Sequence, residues 1–180
     1  MRILLVGGSK SGKSTVGQEL AIALSEDRPR YYWAAMEPVD TEDDARIQRH
    51  IEDRAGLGFI TVECGRDILE APPLPENSTV LFDSITALLA NEMFAGSVDR
   101  EAGKKAEREI IELSRRTESF ICVCDDVFRD GTSHEDLTDL YVESLAKATR
   151  AIAREFDVVC EAACGVLHVL KGSLPTNFKN

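Results

Sequence analysis

Four apolar residues, Ile3-Leu4-Leu5-Val6, run directly into Gly7-Gly8-Ser9-Lys10-Ser11-Gly12-Lys13-Ser14. A short, wholly apolar run reads as a strand buried on both faces, the kind found where helices cover a parallel sheet. The segment after it fits G-x-x-x-x-G-K-[ST], and a strand before with a helix after is the setting this phosphate-loop pattern needs. Its glycines let successive backbone N–H groups turn inward as a nest for phosphate oxygens. The following helix adds its positive dipole end at the same point. Lys13 is placed to reach β- and γ-phosphates, and Ser14 to hold a Mg²⁺ ion. A Gly-rich turn without a ligand is the rival reading; the flanking elements favour a bound nucleoside triphosphate.

The rest of the chain repeats that alternation of short apolar runs and amphipathic stretches, which predicts a mostly parallel sheet covered by helices. Strands are expected at 2–6, 30–35, 58–63, 78–82 and 119–124, with two late runs near 157–161 and 164–170. The late pair is too closely spaced for a helical crossover and so predicts an antiparallel edge. Helices are expected at 13–25, 41–55, 84–94, 99–117 and 135–155. The fourth opens at Asp99 and carries Glu101, Lys104, Lys105, Glu107, Arg108 and Glu109 as a solvated face. Residues 70–77 hold three prolines and read as a loop. Neither repeats nor an interdomain linker are visible, so residues 1–180 are expected to form a single domain.

At 180 residues the chain is long enough for a substantial core. Its net charge of −11 argues against nucleic-acid and anionic-membrane partners. No apolar stretch approaches the roughly 20 residues needed to span a bilayer. The first strand begins at once, so no signal peptide is expected and a cytoplasmic location follows. Five cysteines, Cys64, Cys122, Cys124, Cys160 and Cys164, read as reduced thiols packed as small hydrophobes rather than as a metal or redox site.

Two further segments carry candidate chemistry. Thr79-Val80-Leu81-Phe82-Asp83 ends an apolar strand in a carboxylate, at the sheet end where open α/β folds bind ligands. Asp83 can orient the metal of a bound nucleotide or, alternatively, cap the next helix. Thr41 to Arg54 reads as a helix with Arg46, His50 and Arg54 at i, i+4 and i+8 on one face. Two guanidinium groups beside the imidazole would keep His50 neutral and nucleophilic, and could themselves grip phosphate. A surface helix with Glu42–Arg46 and Arg49–Asp53 pairs explains the same spacing. His134 reads as a cap or surface residue and His168 as a strand residue facing a polar edge.

The phosphate loop, Arg46-Ile47-Gln48-Arg49-His50, Thr61-Val62-Glu63 and Leu81-Phe82-Asp83-Ser84-Ile85-Thr86 occur in this order and at this spacing. Together they resemble the bifunctional adenosylcobinamide kinase/adenosylcobinamide-phosphate guanylyltransferases of cobalamin assembly and salvage, over roughly the first half of the chain. The resemblance implies a three-layer phosphate-loop NTPase-like (RecA-like) α/β fold with helices on both faces of the sheet. It implies GTP and ATP as substrates with Mg²⁺, and a corrinoid, adenosylcobinamide, as acceptor. In such enzymes a triphosphate first phosphorylates the hydroxyl of the corrinoid's aminopropanol arm. A histidine then attacks the α-phosphorus of GTP, and the GMP it holds passes to the corrinoid phosphate. By resemblance the histidine is His50 and the phosphate loop Gly7 to Ser14. Ala34, Ala35, Met36, Ile51, Glu52, Asp53 and Arg54 line the nucleotide, and Glu63 and Asp83 are its carboxylates. A homotrimer is also implied.

The carboxyl half departs from that family's pattern. Asp125-Asp126-Val127-Phe128 stands where the family carries Asn-Glu-Val-Gly, with Asp126 a shorter replacement for the glutamate. Ala146-Lys147-Ala148-Thr149-Arg150 stands in place of Gly-Arg-x-Asn-Gln. These departures keep two other readings open: a small-molecule kinase without a covalent intermediate, and a nucleotide-binding regulatory or assembly protein.

Overall fold

The protein is described from a computed structural model over residues 1–38, 47–48, 51–52, 54–128 and 136–178. Strand β1 (Arg2–Gly7) leads through the glycine loop into helix α1 (Lys13–Ser25). Strands β2 (Arg30–Ala34), β3 (Phe59–Glu63) and β4 (Thr79–Asp83) follow, then helices α2 (Ile85–Phe94) and α3 (Ala102–Arg115). Strand β5 (Ser119–Asp125), helix α4 (Asp136–Glu155) and strands β6 (Val158–Ala163) and β7 (Val166–Lys171) complete the described elements.

The strands form one sheet in the order β3-β2-β4-β5-β1-β6-β7. All pairings are parallel except β6 with β7, the antiparallel edge that the short spacing of the two late runs predicts. Alternation along the buried strands sorts the core into two halves. Ile3, Leu5, Leu81, Ile121 and Val123 pack on α1 through Val16, Leu20 and Ala21. Leu4, Trp33, Val80, Phe82, Phe120 and Cys122 point the other way, against α2, α3 and α4. The result is a mostly parallel sheet covered by helices, as the pattern predicts, in the three-layer arrangement that the resemblance implies.

Differences lie mostly at element ends. Helix α3 begins at Ala102 rather than Asp99, whose Oδ1 instead accepts from the Glu101 N–H at 2.8 Å. The expected helix 41–55 falls largely outside the described residues; 47–48 and 51–52 are helical, and Arg54 lies in a turn beyond them. Asp83 does not cap α2. Ser84 does, its Oγ accepting from the Ala87 N–H at 3.2 Å.

The charged face of α3 is not uniformly wet. Glu109 is 5% exposed and accepts from the Ile68 N–H at 3.2 Å. Lys105 beside it pairs with both Asp67 and Glu92, and Glu92 also accepts from the Asp67 N–H at 2.7 Å. Helical spacing shows which residues share a face but not that the loop after β3 folds back over part of it. Burial pushes the Glu109 carboxyl above its usual range, against the pull of Lys105.

Cys122, Cys124 and Cys160 are buried, and burial raises all three thiols, those of Cys124 and Cys160 to about 11. Those three are packing residues, as expected, whereas Cys164 is exposed at the β6–β7 turn with a positive φ of 53°.

Phe120 is the hinge of the larger core half. Its ring stacks on Phe82 at 6.1 Å and meets Phe156 edge-on at 6.1 Å, with no exposed area. Phe120→Ala is expected to lower stability by about 3–5 kcal/mol. Ile60→Ala, on edge strand β3 and 52% exposed, should cost less than about 1 kcal/mol. Urea unfolding midpoints check both, and equal losses would contradict this division of the core.

Candidate functional site

The carboxyl ends of β1, β2, β4 and β5 converge on the glycine loop. Gly7 closes β1 where no side chain fits: a Cβ there would lie 2.5 Å from the Ala162 carbonyl oxygen and 2.8 Å from Ser11 Oγ. Gly12 starts α1 with φ +95°, a conformation costly for residues with a Cβ. The loop closes on Gly8, whose carbonyl oxygen accepts from the Ser11 N–H at 3.2 Å and from Lys13 Nζ at 2.7 Å. The β6–β7 turn braces the far side, Gly165 N–H donating to the Ser11 carbonyl at 3.0 Å. Gly8, Ser9 and Lys10 face solvent, whereas Lys13 is 6% exposed.

Behind the loop the hydroxyls of Ser14 and Tyr32 both donate to Oδ2 of Asp83, at 3.1 and 2.8 Å. Ser14 and Asp83, both predicted as metal residues, are thus brought together at the start of α1 and the end of β4. A hydroxyl and a carboxylate within hydrogen-bonding distance are hard oxygen donors of the type Mg²⁺ takes, usually one or two from protein with phosphates and water completing the shell. Among the described residues no cluster of three or more His, Cys, Asp or Glu forms a closed metal cage. The donor set therefore fits a Mg²⁺ ion carried by a nucleotide.

Lys13 reaches across to Asp125 Oδ1 at 2.9 Å. Asp125 ends β5 directly opposite Gly7 in register. Its N–H donates to Thr86 Oγ1 at 2.9 Å, and the Thr86 carbonyl accepts from the Tyr141 hydroxyl at 2.9 Å. Burial holds the Tyr141 hydroxyl well above its usual pKa, so it stays a donor.

Asp83 and Asp125 form the polar floor of a cavity of about 250 Å³. Ala87, Ala90, Met36, Ile47 and Tyr141 are among its other walls. Arg54 also lines it, only 7% exposed, with its guanidinium carbon 3.5 Å from the centroid of the Tyr32 ring. Its Nη1 has no hydrogen-bond partner. Burying part of an arginine without a partner is costly, so this cation is poised for an anion.

A second cavity, about 600 Å³, shares Ala34, Met36 and Ile47 with the first and holds Glu63. Its rim carries the Arg66–Glu37 pair at 3.0 Å. Asn91 donates to the carbonyls of Ala35 and of Gly65, which lines this cavity, at 2.7 and 3.1 Å.

The predicted residues therefore divide. Gly7 to Ser14, Ala34, Met36, Arg54 and Asp83 gather around the loop and the first cavity. Ala35 is fully buried and takes part through its backbone, and Glu63 belongs to the second cavity. Ile51 and Glu52 are exposed and line neither, Glu52 instead accepting from Gln48 at 2.9 Å. Arg46, His50 and Asp53 lie outside the described residues, as does His134. His168 sits exposed on edge strand β7. Sequence reasoning missed Tyr32, Thr86, Asn91 and Tyr141, and met Asp125 only as a departure from a pattern.

Tyr32→Phe keeps the ring under Arg54 and removes the hydroxyl from Asp83. A hydrogen bond to a carboxylate contributes about 1.5–3 kcal/mol, so denaturant titration should show a stability loss near the lower end of that range. An unchanged midpoint would mean that Asp83 does not depend on Tyr32.

No curated protein sequence matches the chain. Among solved structures, the flagellar accessory protein FlaH of Methanocaldococcus jannaschii is similar at 17% identity and TM-score 0.48, over 97% of this chain and 81% of that one. A KaiC-like protein of Pyrococcus horikoshii is similar at 16% identity and TM-score 0.45, over 89% and 69%. The P4 protein of bacteriophage phi6, in complex with ADP, is similar at 15% identity and TM-score 0.41, over 92% and 52%. The sequence itself matches the CobU family, described as cobinamide kinase / cobinamide phosphate guanyltransferase, over residues 3–170. That match takes in the glycine loop, β4 with Asp83 and the diverging segments at 125–128 and 146–150 alike. By its sequence, from β1 into β7, the chain belongs to the cobinamide kinase / cobinamide phosphate guanyltransferase family, the bifunctional enzymes of cobalamin biosynthesis.

Proposed function

We propose that this chain carries out both family reactions in one nucleotide-binding unit spanning residues 1–180, phosphorylating adenosylcobinamide and then transferring GMP from GTP through His50. The observation that carries the reading is the convergence of Lys13, Ser14 and Asp83 at one sheet end, beside a cavity lined by a buried Arg54 whose Nη1 has no hydrogen-bond partner. The triphosphate takes its β- and γ-phosphates into the nest formed by Gly7 to Ser14. Ser14 and Asp83 would hold the accompanying Mg²⁺, which would offset phosphate charge. Ala34 and Met36 flank the nucleotide, as the resemblance implies, and of the residues after His50 it is Arg54 that reaches the same cavity.

In the kinase step the hydroxyl oxygen of the corrinoid arm attacks the γ-phosphorus. The bond from that phosphorus to the β,γ-bridging oxygen breaks, the electron pair leaves on the nucleoside diphosphate, and the hydroxyl proton passes to solvent. Lys13 and the backbone N–H groups of the loop counter the charge on the phosphoryl oxygens. In the second reaction a neutral His50 nitrogen attacks the α-phosphorus of GTP and pyrophosphate departs. The P–N bond is high in energy, so GMP remains transferable to the corrinoid phosphate. Arg46 and Arg54 are the cations for this step. They bind phosphate oxygens.

Incubation with Mg²⁺ and GTP labelled at the α-phosphate should leave protein-bound label that is acid-labile and alkali-stable. His50→Ala should abolish the label while sparing phosphorylation of adenosylcobinamide. An adduct undiminished in His50→Ala would refute the histidine route. Lys13→Ala should reduce both activities by at least about a hundredfold.

A further inference from the structure

The ammonium of Lys13 is already engaged. Its Nζ donates to the Gly8 carbonyl at 2.7 Å and pairs with Asp125 Oδ1 at 2.9 Å, in a side chain 6% exposed. Asp125 cannot easily swing away as a whole. It ends β5 in register with Gly7, its N–H is held by Thr86 Oγ1, and the next residue's N–H donates to the Gly7 carbonyl at 2.9 Å. Its carboxylate is 29% exposed and faces the cavity, so only its side-chain torsions are free to move.

Phosphate oxygens settling into the nest need the same Nζ. A lysine ammonium is a compact point charge with three donors. Sharing it between a fixed carboxylate and a polyphosphate places two anions within a few ångströms in a half-buried site, where Coulomb repulsion is weakly screened. Asp83 stands outside this conflict, because its Oδ2 is taken by the Ser14 and Tyr32 hydroxyls.

We propose that Asp125 is a positioning residue that holds Lys13 over the glycine loop, yields it to an incoming triphosphate and recaptures it as the diphosphate or pyrophosphate leaves. This rests on the nucleotide-binding reading given above. The exchange makes and breaks no covalent bond. Its effect is to lower nucleotide affinity and speed product release, at the gain of a loop whose lysine is already placed when substrate arrives.

The test is Asp125→Asn in the full chain, with Asp125→Ala beside it to separate loss of charge from any new amide contact to phosphate. Titration with a fluorescent GTP analogue and Mg²⁺ should show about tenfold tighter binding in both variants. Most of the change should lie in a slower dissociation rate, with KM and kcat falling together in the kinase assay. A residue that served only to support the fold would weaken binding instead. Affinity unchanged within twofold, or weaker, in both variants overturns the exchange. Binding by the variants but not by the wild-type chain supports it in extreme form. No binding by any of the three overturns the nucleotide reading, and the exchange falls with it.

Discussion

The parallel register of β1 against β5 is the constraint on which the site depends. Leu4 opposite Cys122 and Leu5 opposite Val123 send alternate side chains into the two core halves. Carried to the strand ends, the same register sets Gly7 beside Asp125 and, through β4, Asp83 beside Val123. A one-residue slip would send each side chain into the opposite core half and move Asp125 off Lys13. Burial of the strand interiors thus fixes the places of two carboxylates at the loop, Asp125 against Lys13 and Asp83 against Ser14.

Much of this was legible in the chain because its signals are local. Wholly apolar runs mark β1, β4 and β5, and the glycine pattern marks the loop. Asp83 announces itself as a carboxylate ending an apolar strand. What escaped depends on contacts distant in sequence. Tyr32 reads as one more core aromatic in Arg30-Tyr31-Tyr32-Trp33-Ala34, since its partner Asp83 is 51 positions away. Glu109 sits in a charged run whose spacing cannot reveal that the Ile68 N–H will cover it. Arg54 was placed by helical spacing with Arg46 and His50, yet it lies in a turn with its guanidinium over a buried ring. Periodicity assumes that a helix continues; a buried cation finds an aromatic face regardless of period.

The balance of charge around the loop explains why these particular groups suit a polyphosphate in so acidic a chain. Two carboxylates, Asp83 and Asp125, meet two buried cations, Lys13 and Arg54. The near cancellation leaves little field to draw in a multiply charged anion, and the net charge of −11 works against one at longer range. The attraction must therefore come from short-range donors and from charge that the ligand brings with it. The nest of backbone N–H groups between Gly7 and Lys13 supplies the first, at fixed geometry and with no counter-charge to displace. On the proposed reading a divalent cation bound to the phosphates would supply the second, with Asp83, already oriented by two hydroxyls, as the carboxylate to receive it. A free phosphate-bearing anion meets Asp83 as a repulsive charge, while the same anion with its metal meets it as a ligand. On the proposed reading, discrimination in favour of metal-loaded nucleotide would follow from the aim of Asp83 beside a lysine that is already paired.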